Sequence, residues 1–245
     1  MKNSIVVNNL SKKYSNKLAV KNINFNINEN EIVGLLGPNG CGKTTTIAMI
    51  LGLLKPTSGE ILINGLNIEA NRIELLHKIN FISPYIELPK KLTVKQNLTV
   101  YGKLYSVKDL NYKIENLSQK LRLENFLNRI TGELSSGQKN RVSLAKALIN
   151  DPSVLLLDEP TASLDPEIGD FVRTFLENYI KEKKISILLA SHNMNEVKRM
   201  CSSVLMMKDG SIIDKGHPNE LIKKHGRQNL EEVFLKLTRE KNELY

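Results

Sequence analysis

The first part of the chain alternates apolar and polar residues in stretches that predict strands and turns. Over residues 20–28, Ile23, Phe25 and Ile27 fall on one face and asparagines on the other, which is typical of an antiparallel strand buried on one side. Residues 31–36 form a short apolar run, and residues 44–54 after them predict a helix. An Asn-Gly pair at positions 64–65, between apolar residues, predicts a hairpin with a type I′ turn.

Helical and strand patterns alternate farther along the chain. Apolar residues recur at helical spacing over residues 92–128, and a further helix is predicted to follow residue 134 and run to residue 149. Unbroken apolar runs at residues 154–157 and 185–189 are typical of strands packed on both faces. Strands alternating with helices indicate an α/β fold, with residues 85–134 as a helical insertion.

Turn and capping residues define the remaining elements. Asp165 and Pro166 predict the N-cap and first turn of a helix, and Asp209-Gly210 predicts a second hairpin. From Asn229 onward, apolar residues at helical spacing predict an amphipathic tail helix. We therefore expect a single domain over residues 1–245, with a core that contains a β subdomain (1–84 and 135–218), a helical insertion (85–134) and a helical tail (219–245).

Length, cysteine content and hydropathy narrow the class of protein. The 245 residues suffice for one substantial domain, and a hydrophobic content of 41% excludes wholesale disorder. Cys41 and Cys201 are too few and too far apart for a disulfide framework or a zinc site, and we interpret them as reduced thiols of a cytosolic protein. The longest uncharged apolar stretch, residues 44–54, is shorter than the roughly 20 residues of a membrane-spanning helix, and no signal peptide is evident.

The net charge of +9 raises the question of nucleic-acid binding. Lysines are scattered along the chain, no run of five like charges occurs, and aromatic residues make up only 5%, so platforms for base stacking are scarce. We interpret the charge as a solvated basic surface suited to anionic phospholipid headgroups, and we expect no nucleic-acid partner.

A glycine-rich segment after the run at residues 31–36 matches a phosphate-binding loop. The segment from Gly37 to Thr44 fits G-x-x-x-x-G-K-[ST], between a predicted strand and a predicted helix. Glycines let successive backbone N–H groups point at phosphate oxygens, and the helix N-terminus adds its positive end. Lys43 is predicted to reach the β- and γ-phosphates and Thr44 to ligate Mg²⁺. The predicted nucleotide contacts are Gly37, Pro38, Asn39, Gly40, Cys41 (interpreted as a small packing residue), Gly42, Lys43, Thr44 and Thr45.

An acidic pair closes the apolar run at residues 154–157. Asp158 lies at the carboxyl end of this predicted strand, where ligands bind in open α/β sheets. We expect Asp158 to hold Mg²⁺, directly or through water, and Glu159 to act as general base for a hydrolytic water. Together with the phosphate loop, this pair predicts a P-loop NTPase.

Four further motifs resemble those of ABC-type ATPases. Residues 134–138 are similar to the signature motif of that family and begin 24 residues before Asp158. The other three are Ser163-Leu164-Asp165, which resembles the D-loop, Ser191-His192, which resembles the switch histidine, and Tyr14, at the position of an aromatic that stacks on adenine. The six motifs occur in the order of the family and span the chain. The resemblance adds Tyr14, Ser135, Ser136, Gly137, Gln138 and Asp165 to the predicted nucleotide contacts.

The resemblance also implies a fold, cofactors and partners. Family members have a P-loop NTPase core with a mainly parallel sheet, an antiparallel β subdomain and an inserted helical subdomain, and they bind ATP with Mg²⁺. Two protomers enclose each ATP between the phosphate loop of one copy and Ser135 and the Gly137 amide of the other; a homodimer is expected, with a heterodimer as the alternative. The insertion would dock an integral-membrane permease, which places the protein at the cytoplasmic face of the membrane. The predicted catalytic residues are Lys43, Glu159 and His192, the last of them beside the γ-phosphate.

Two positions depart from the family pattern. Ser136 replaces the first signature glycine, a mild change at the start of a helix. Pro84 stands where the family has a glutamine that touches Mg²⁺ and relays the state of the permease, and proline has no side-chain donor or acceptor. Gln96 is not a convincing substitute. Either water or Tyr85 fills the role, or turnover is slow, or coupling uses another contact.

The tail favours export as the direction of transport. Residues 229–238 resemble the C-terminal segment of exporter-type (ABC-2) ATPases that serve drug or polysaccharide efflux permeases. The leading hypothesis is therefore the ATPase subunit of an exporter. One alternative is a soluble ABC ATPase of the iron–sulfur assembly type. Co-purification with an integral permease would distinguish the exporter subunit from this alternative. Another alternative is a weakly catalytic regulatory subunit; this hypothesis rests on Pro84, and a measurement of ATPase activity tests it.

Overall fold

The computed structural model describes residues 2–83, 86–162 and 164–240, so Pro84, Tyr85 and Ser163, which carry predictions, lie outside the described residues. The chain separates into two compact units, Met1–Leu76 together with Ser186–Tyr245, and His77–Ile185. The strands are β1 (Asn3–Tyr14), β2 (Lys17–Asn28), β3 (Ile32–Leu36), β4 (Ser58–Ile63), β5 (Leu66–Asn67), β6 (Ile79–Ile82), β7 (Val154–Asp158), β8 (Ser186–Ser191), β9 (Ser203–Lys208) and β10 (Ser211–Gly216).

Helices alternate with these strands along the chain, which confirms the predicted α/β class. None of those within the described ranges is long and apolar enough to cross a membrane. The helices are α1 (Lys43–Ile50), α2 (Arg72–Leu76), α3 (Val94–Leu104), α4 (Leu110–Leu121), α5 (Ser136–Leu148), α6 (Pro166–Lys183), α7 (Met194–Met200), α8 (Pro218–His225) and α9 (Leu230–Glu240), with 3₁₀ turns at Glu124–Phe126 and Thr131–Glu133.

The first unit contains an antiparallel sheet in the order β2-β1-β4-β5. Along β2, Ile23, Phe25 and Ile27 are buried and the asparagines between them are exposed, so the predicted alternation is confirmed. Asn64 and Gly65 join β4 to β5 with φ angles of 50° and 81°. Both angles are positive, as the predicted type I′ turn requires.

The same unit contains parallel strands that carry the phosphate loop. The strand β3 pairs in parallel with β8 and with β9, and all of its residues are buried. At its carboxyl end, Leu36 is opposite Ser191 of β8 and Met206 of β9, so the segments that follow β3 and β8 start side by side. The predicted second hairpin joins β9 to β10, with φ angles of 48° at Asp209 and 82° at Gly210.

The second unit contains β6 and β7, which pair in parallel with Ile82 opposite Leu157. All residues of β7 are buried, as its unbroken apolar pattern predicts. The helices α3, α4 and α5 contact one another and bury apolar side chains such as Leu98 and Leu117. The helical pattern predicted over residues 92–128 is thereby confirmed as α3, α4 and one 3₁₀ turn.

The helix predicted over residues 44–54 ends too late, because α1 stops at Ile50. Gly52 has a φ angle of 64°, and its amide donates to the Met49 carbonyl over 3.0 Å. A glycine in the left-handed conformation just after a helix is a common helix stop. The apolar spacing continues past this glycine, so spacing alone placed the end of the helix four residues too far.

A cluster of charged residues joins β10 to α8 in the first unit. The Lys224 ammonium lies 2.8 and 2.9 Å from the two carboxylate oxygens of Asp214, and His225 Nε2 lies 2.6 Å from Asp214 Oδ2. Burial alone would raise the pKa of Asp214, but hydrogen bonds from Lys224, His225 and the Lys215 amide together hold that pKa below its ordinary value. The ionised carboxylate therefore stabilises the folded state.

We expect Asp214→Asn to lower the free energy of unfolding by about 1–3 kcal/mol at pH 7, because charge-assisted hydrogen bonds are lost. A carboxyl group whose pKa is lowered by folding contributes stability above its unfolded pKa of about 4, and that contribution disappears as the pH falls through the folded pKa. Urea unfolding should therefore show a smaller difference at pH 3 than at pH 7. Glu220→Gln, at an exposed carboxylate of α8, is the control; equal losses for Asp214→Asn at both pH values would contradict this role.

Candidate functional site

The phosphate loop connects β3 to α1 in the first unit, as predicted. Gly40 and Gly42 have φ angles of 78° and 111°, which favour glycine, and Gly42 is the N-cap of α1. A methyl group at Gly37 would lie 2.3 Å from the Met207 carbonyl oxygen and 2.5 Å from the Cys41 sulfur. The loop thus runs so close to β9 that no side chain fits at Gly37. Pro38, Asn39, Gly40 and Thr44 are exposed, Thr45 is half-buried, and Gly37, Cys41, Gly42 and Lys43 are buried.

Lys43 lies within the loop itself. Its side chain is only 6% exposed, and its ammonium donates to the carbonyls of Gly37, over 2.6 Å, and Pro38, over 3.2 Å. Thr44, the next residue of α1, is exposed at the amino end of the helix. A cation and a helix N-terminus therefore meet at one curved backbone segment, which is the arrangement that binds phosphate groups.

The Cys41 side chain packs beneath the loop, which agrees with its interpretation as a packing residue. The thiol is buried, and burial raises its pKa against the opposing effect of the nearby Lys43 charge. The Cys41 carbonyl accepts a hydrogen bond from the Gly210 amide over 3.0 Å, and the Gly210 carbonyl accepts one from the Lys21 amide over 2.7 Å. The loop is thereby fixed to the β9–β10 hairpin and to β2. Within the described residues both cysteines are free thiols.

Tyr14 belongs to the hairpin that borders this loop. A methyl group at Gly42 would lie 2.6 Å from the Ala19 carbonyl of β2, so β2 contacts the loop directly. Tyr14, at the end of β1, pairs with Lys17 at the start of β2 and is 48% exposed, with the Lys12 ammonium 5.4 Å from its ring centre. An exposed aromatic ring on this hairpin suits the predicted stacking on a base.

His192 also belongs to the first unit and follows β8 directly. Ser191, the residue before it, is opposite Leu36, the residue before the phosphate loop. His192 is exposed, and Asn193 after it caps α7 by accepting hydrogen bonds from the amides of Asn195 and Glu196. The parallel register thus brings the predicted switch histidine to the end of the sheet at which the phosphate loop begins.

The acidic pair lies at the carboxyl end of β7 in the second unit. Asp158 is the last residue of the strand and only 3% exposed. Glu159 is half-buried and has a φ angle of 52°, a left-handed conformation that is uncommon for a residue other than glycine. A non-glycine residue in this conformation carries backbone strain, which the surrounding structure has to hold in place.

The signature residues form the start of α5 in the same unit. Ser135 is the N-cap: its hydroxyl accepts from the Gln138 amide over 3.3 Å, and Gln138 Oε1 accepts from the Ser135 amide over 3.0 Å. This reciprocal pair is a capping box, so the Gln138 side chain here holds the helix N-terminus. Ser136 is exposed in the first turn, and Gly137 is buried, where a methyl group would lie 2.4 Å from Ile168.

Two further polar residues of the second unit, Asp165 and Gln96, lie at the N-termini of helices. Asp165 is the N-cap of α6 with Pro166 in the first turn, as predicted, but its side chain makes no capping hydrogen bond. Gln96 belongs to a capping box of α3, where its Oε1 accepts from the Thr93 amide over 2.9 Å. This local role accords with the view that Gln96 does not replace the glutamine missing at Pro84.

The signature and acidic segments of the second unit are linked by a contact that the sequence analysis missed. Asn140 of α5 donates from Nδ2 to the Pro160 carbonyl over 2.7 Å. Pro160 follows Glu159, so the first turns of α5 hold the loop that carries the predicted base. No local pattern marks Asn140, because its partner lies 20 residues away.

Comparison with known proteins identifies the family. The model of the ABC transporter family matches residues 20–162. The chain belongs to the ABC transporter family. This ABC protein is 34% identical over 220 residues to the ABC transporter ATP-binding protein NatA of Bacillus subtilis, with 89% of each chain covered. It is 39% identical over 216 residues to the Nod factor export ATP-binding protein I of Rhizobium johnstonii, covering 87% of this chain and 69% of that one.

A solved structure of the same family supports the enzymatic class. The dimeric post-hydrolysis state of the ATP-binding cassette MJ0796, bound to ADP and Pi, matches with a TM-score of 0.80 and 27% identity, covering 87% of this chain and 98% of that one. The predicted ATP-binding ABC ATPase is therefore confirmed as a class, and the predicted α/β fold with it.

Sequence reasoning named Ser191 only as part of the Ser191-His192 motif of this ABC ATPase and missed its buried partner, Glu196. Ser191 Oγ donates to Glu196 Oε2 over 2.8 Å, and both side chains are buried. The sequence does mark Glu196, because Asn193 and Glu196 have the N-cap and N3 spacing of a capping box. That spacing predicts a hydrogen bond from the Asn193 amide to the Glu196 carboxylate. The structure instead has the Glu196 carboxylate bonded to the Ser191 hydroxyl, so the spacing alone predicts the wrong partner.

Proposed function

We propose that this protein is the ATP-hydrolysing subunit of an ABC exporter, with ATP and Mg²⁺ bound at the phosphate loop. The observation that carries the proposal is the geometry of the loop. Its backbone runs too close to β9 for a side chain at Gly37, and the Lys43 ammonium donates a hydrogen bond to the Gly37 carbonyl within the loop. The names of the relatives, which include a Nod factor export protein, support export as the direction. We retain the proposal of a single ATPase domain with a helical insertion at residues 85–134.

The residues of each unit have distinct proposed roles. In the first unit, Lys43 and the loop amides bind the β- and γ-phosphates, and the Thr44 hydroxyl suits Mg²⁺, which prefers oxygen ligands. In the second unit, the Asp158 carboxylate has the same ligand chemistry, and the strained Glu159 is the base that takes a proton from the attacking water. His192 is proposed to stabilise the charge that develops on the γ-phosphate.

We propose that the active form is a dimer in which each ATP contacts both copies. Ser135, the Gly137 amide and the first turn of α5 would supply anion contacts from the opposite copy, since a helix N-terminus is an anion site. Tyr14 would stack on the adenine, and Ser136, Gln138 and Asp165 would line the same interface. The dimeric state of the matched ATP-binding cassette supports this arrangement.

The helical insertion is proposed to dock an integral-membrane permease, which would hold the protein at the cytoplasmic face of the membrane. Within the insertion, α3 exposes two large apolar side chains one helical turn apart, Val100 at 46% and Leu104 at 68%. Exposed apolar surface of this kind marks an interaction site when it is grouped on one element. The basic charge of the chain would add attraction to anionic headgroups.

Affinity purification of the tagged protein from detergent-solubilised membranes of its own cell tests this function. We expect a polytopic membrane protein to co-purify and ATP hydrolysis to accompany the complex. Leu104→Glu should reduce recovery of the membrane protein, because a charge on the apolar face opposes docking, and should leave hydrolysis by the isolated subunit unchanged. A soluble complex with no integral partner would contradict the transport role and favour an ABC ATPase without one.

A further inference from the structure

A buried pair of polar side chains lies beside His192 in the first unit. Ser191, the last residue of β8, is fully buried, and Glu196, in the first turn of α7, is 3% exposed. The Ser191 hydroxyl donates to Glu196 Oε2 over 2.8 Å. Burying a carboxylate costs free energy unless donors are placed to receive it. Helix capping alone therefore does not explain why a glutamate is buried at this position.

The network of Glu196 includes the residues on both sides of His192. The Asn193 amide donates to Ser191 Oγ over 3.0 Å, so one hydroxyl binds the carboxylate and the backbone just after the histidine. Asn193 Oδ1 in turn accepts from the Glu196 amide over 3.2 Å. His192 is the exposed residue between these two held positions. Its backbone is therefore fixed from both sides by contacts that converge on Glu196.

The helix that carries Glu196 is packed firmly on the strand that leads to the phosphate loop. A methyl group at Gly34 of β3 would lie 2.8 Å from Val197 Cγ1 and 3.1 Å from the Cys201 sulfur, so only glycine permits this approach. Burial raises the pKa of the Cys201 thiol, and the charge of Glu196 raises it further. Glu196 thus lies on a helix whose position relative to β3 is set by close packing.

We propose that Glu196 is a positioning residue for ATP hydrolysis, which acts through Ser191 to hold His192 beside the γ-phosphate. The inference rests on the proposed function, in which His192 meets the γ-phosphate. Glu196 is only 3% exposed, so in this proposal it acts through its neighbours and not by contact with the nucleotide. Its loss should therefore lower kcat, which depends on the placement of His192, and leave the KM for ATP nearly unchanged, since the phosphate loop is intact.

The test is a double-mutant cycle of ATPase kinetics on the purified full chain. Glu196→Ala is expected to lower kcat about tenfold with KM within about twofold of wild type. Glu196→Gln keeps an acceptor oxygen for Ser191 and should recover most of the rate. In a His192→Ala background, Glu196→Ala should cause no further loss, because the residue through which it acts is gone. Glu220→Ala, at an exposed carboxylate of the same unit, is the control and should retain wild-type kinetics.

Three results would overturn the inference: a wild-type kcat for Glu196→Ala, an equal loss in both backgrounds, or a wild-type kcat for His192→Ala. If Glu196→Ala does not fold, Ser191→Ala removes the same hydrogen bond by deletion of one oxygen and takes its place in the cycle. Wild-type protein that hydrolyses no ATP would contradict the proposed function itself. Active wild-type protein with an unaffected Glu196→Ala variant would contradict this inference alone.

Discussion

Glu159→Gln should abolish turnover while ATP binding persists. The substitution keeps the size of the side chain and removes the group that accepts a proton from water, so we expect kcat to fall by about 10²- to 10⁴-fold. The phosphate loop is untouched, and the ATP-bound dimer should therefore accumulate. Steady-state release of phosphate measures the first effect, and sedimentation velocity with ATP and with ADP measures the second.

Glu115→Gln is the matched control for this experiment. Glu115 is an exposed carboxylate on α4, and its replacement should change neither hydrolysis nor association. If the Glu159→Gln variant hydrolyses ATP at the wild-type rate, another group is the base, and the left-handed conformation of Glu159 has a different purpose.

Gly37→Ala should weaken ATP binding by at least about 100-fold, equivalent to about 2.7 kcal/mol. The added methyl group would lie 2.3 Å from a backbone oxygen of Met207 and cannot be accommodated by rotation of a side chain. Either the loop or β9 must move, and amides that point at phosphate oxygens then lose their alignment. Isothermal titration with ATP measures the loss, and thermal melting shows how much stability is lost with it.

Gly169→Ala separates this steric effect from the general effect of replacing a glycine. Gly169 lies in α6, and its added methyl group would meet only the end of the flexible Arg173 side chain, at 3.2 Å. Alanine in a helix is favoured over glycine by about 0.5–1 kcal/mol, so this variant should bind ATP and melt at or above the wild-type temperature. Wild-type affinity in Gly37→Ala would show that the close approach to β9 is not needed for binding.

Local patterns predicted the elements that depend on nearby residues. The Asn64-Gly65 and Asp209-Gly210 pairs identified both hairpins, because the positive φ angles of these turns favour those residues. The unbroken apolar run before Asp158 identified β7, and the helix predicted to follow residue 134 is α5, which Ser135 and Gln138 cap. In each case the residues that determine the structure are adjacent or lie within one helical turn.

Contacts between distant segments could not be predicted from the same patterns. The register that sets Leu36 opposite Ser191, and so His192 near the phosphate loop, depends on how two separate strands pair. The approach of Met207 to Gly37 and the hydrogen bond from Asn140 to Pro160 also join residues far apart in sequence. The sequence therefore identified the candidate residues, and the structure shows what holds several of them in place.

Equilibrium dialysis against labelled ATP with Mg²⁺ tests directly whether the phosphate loop binds ATP. We expect saturable uptake that approaches one ATP per chain, competition by unlabelled ADP, and loss of uptake in Gly37→Ala. Folded wild-type protein that takes up no ATP would contradict the assignment of the phosphate loop and, with it, the proposed function.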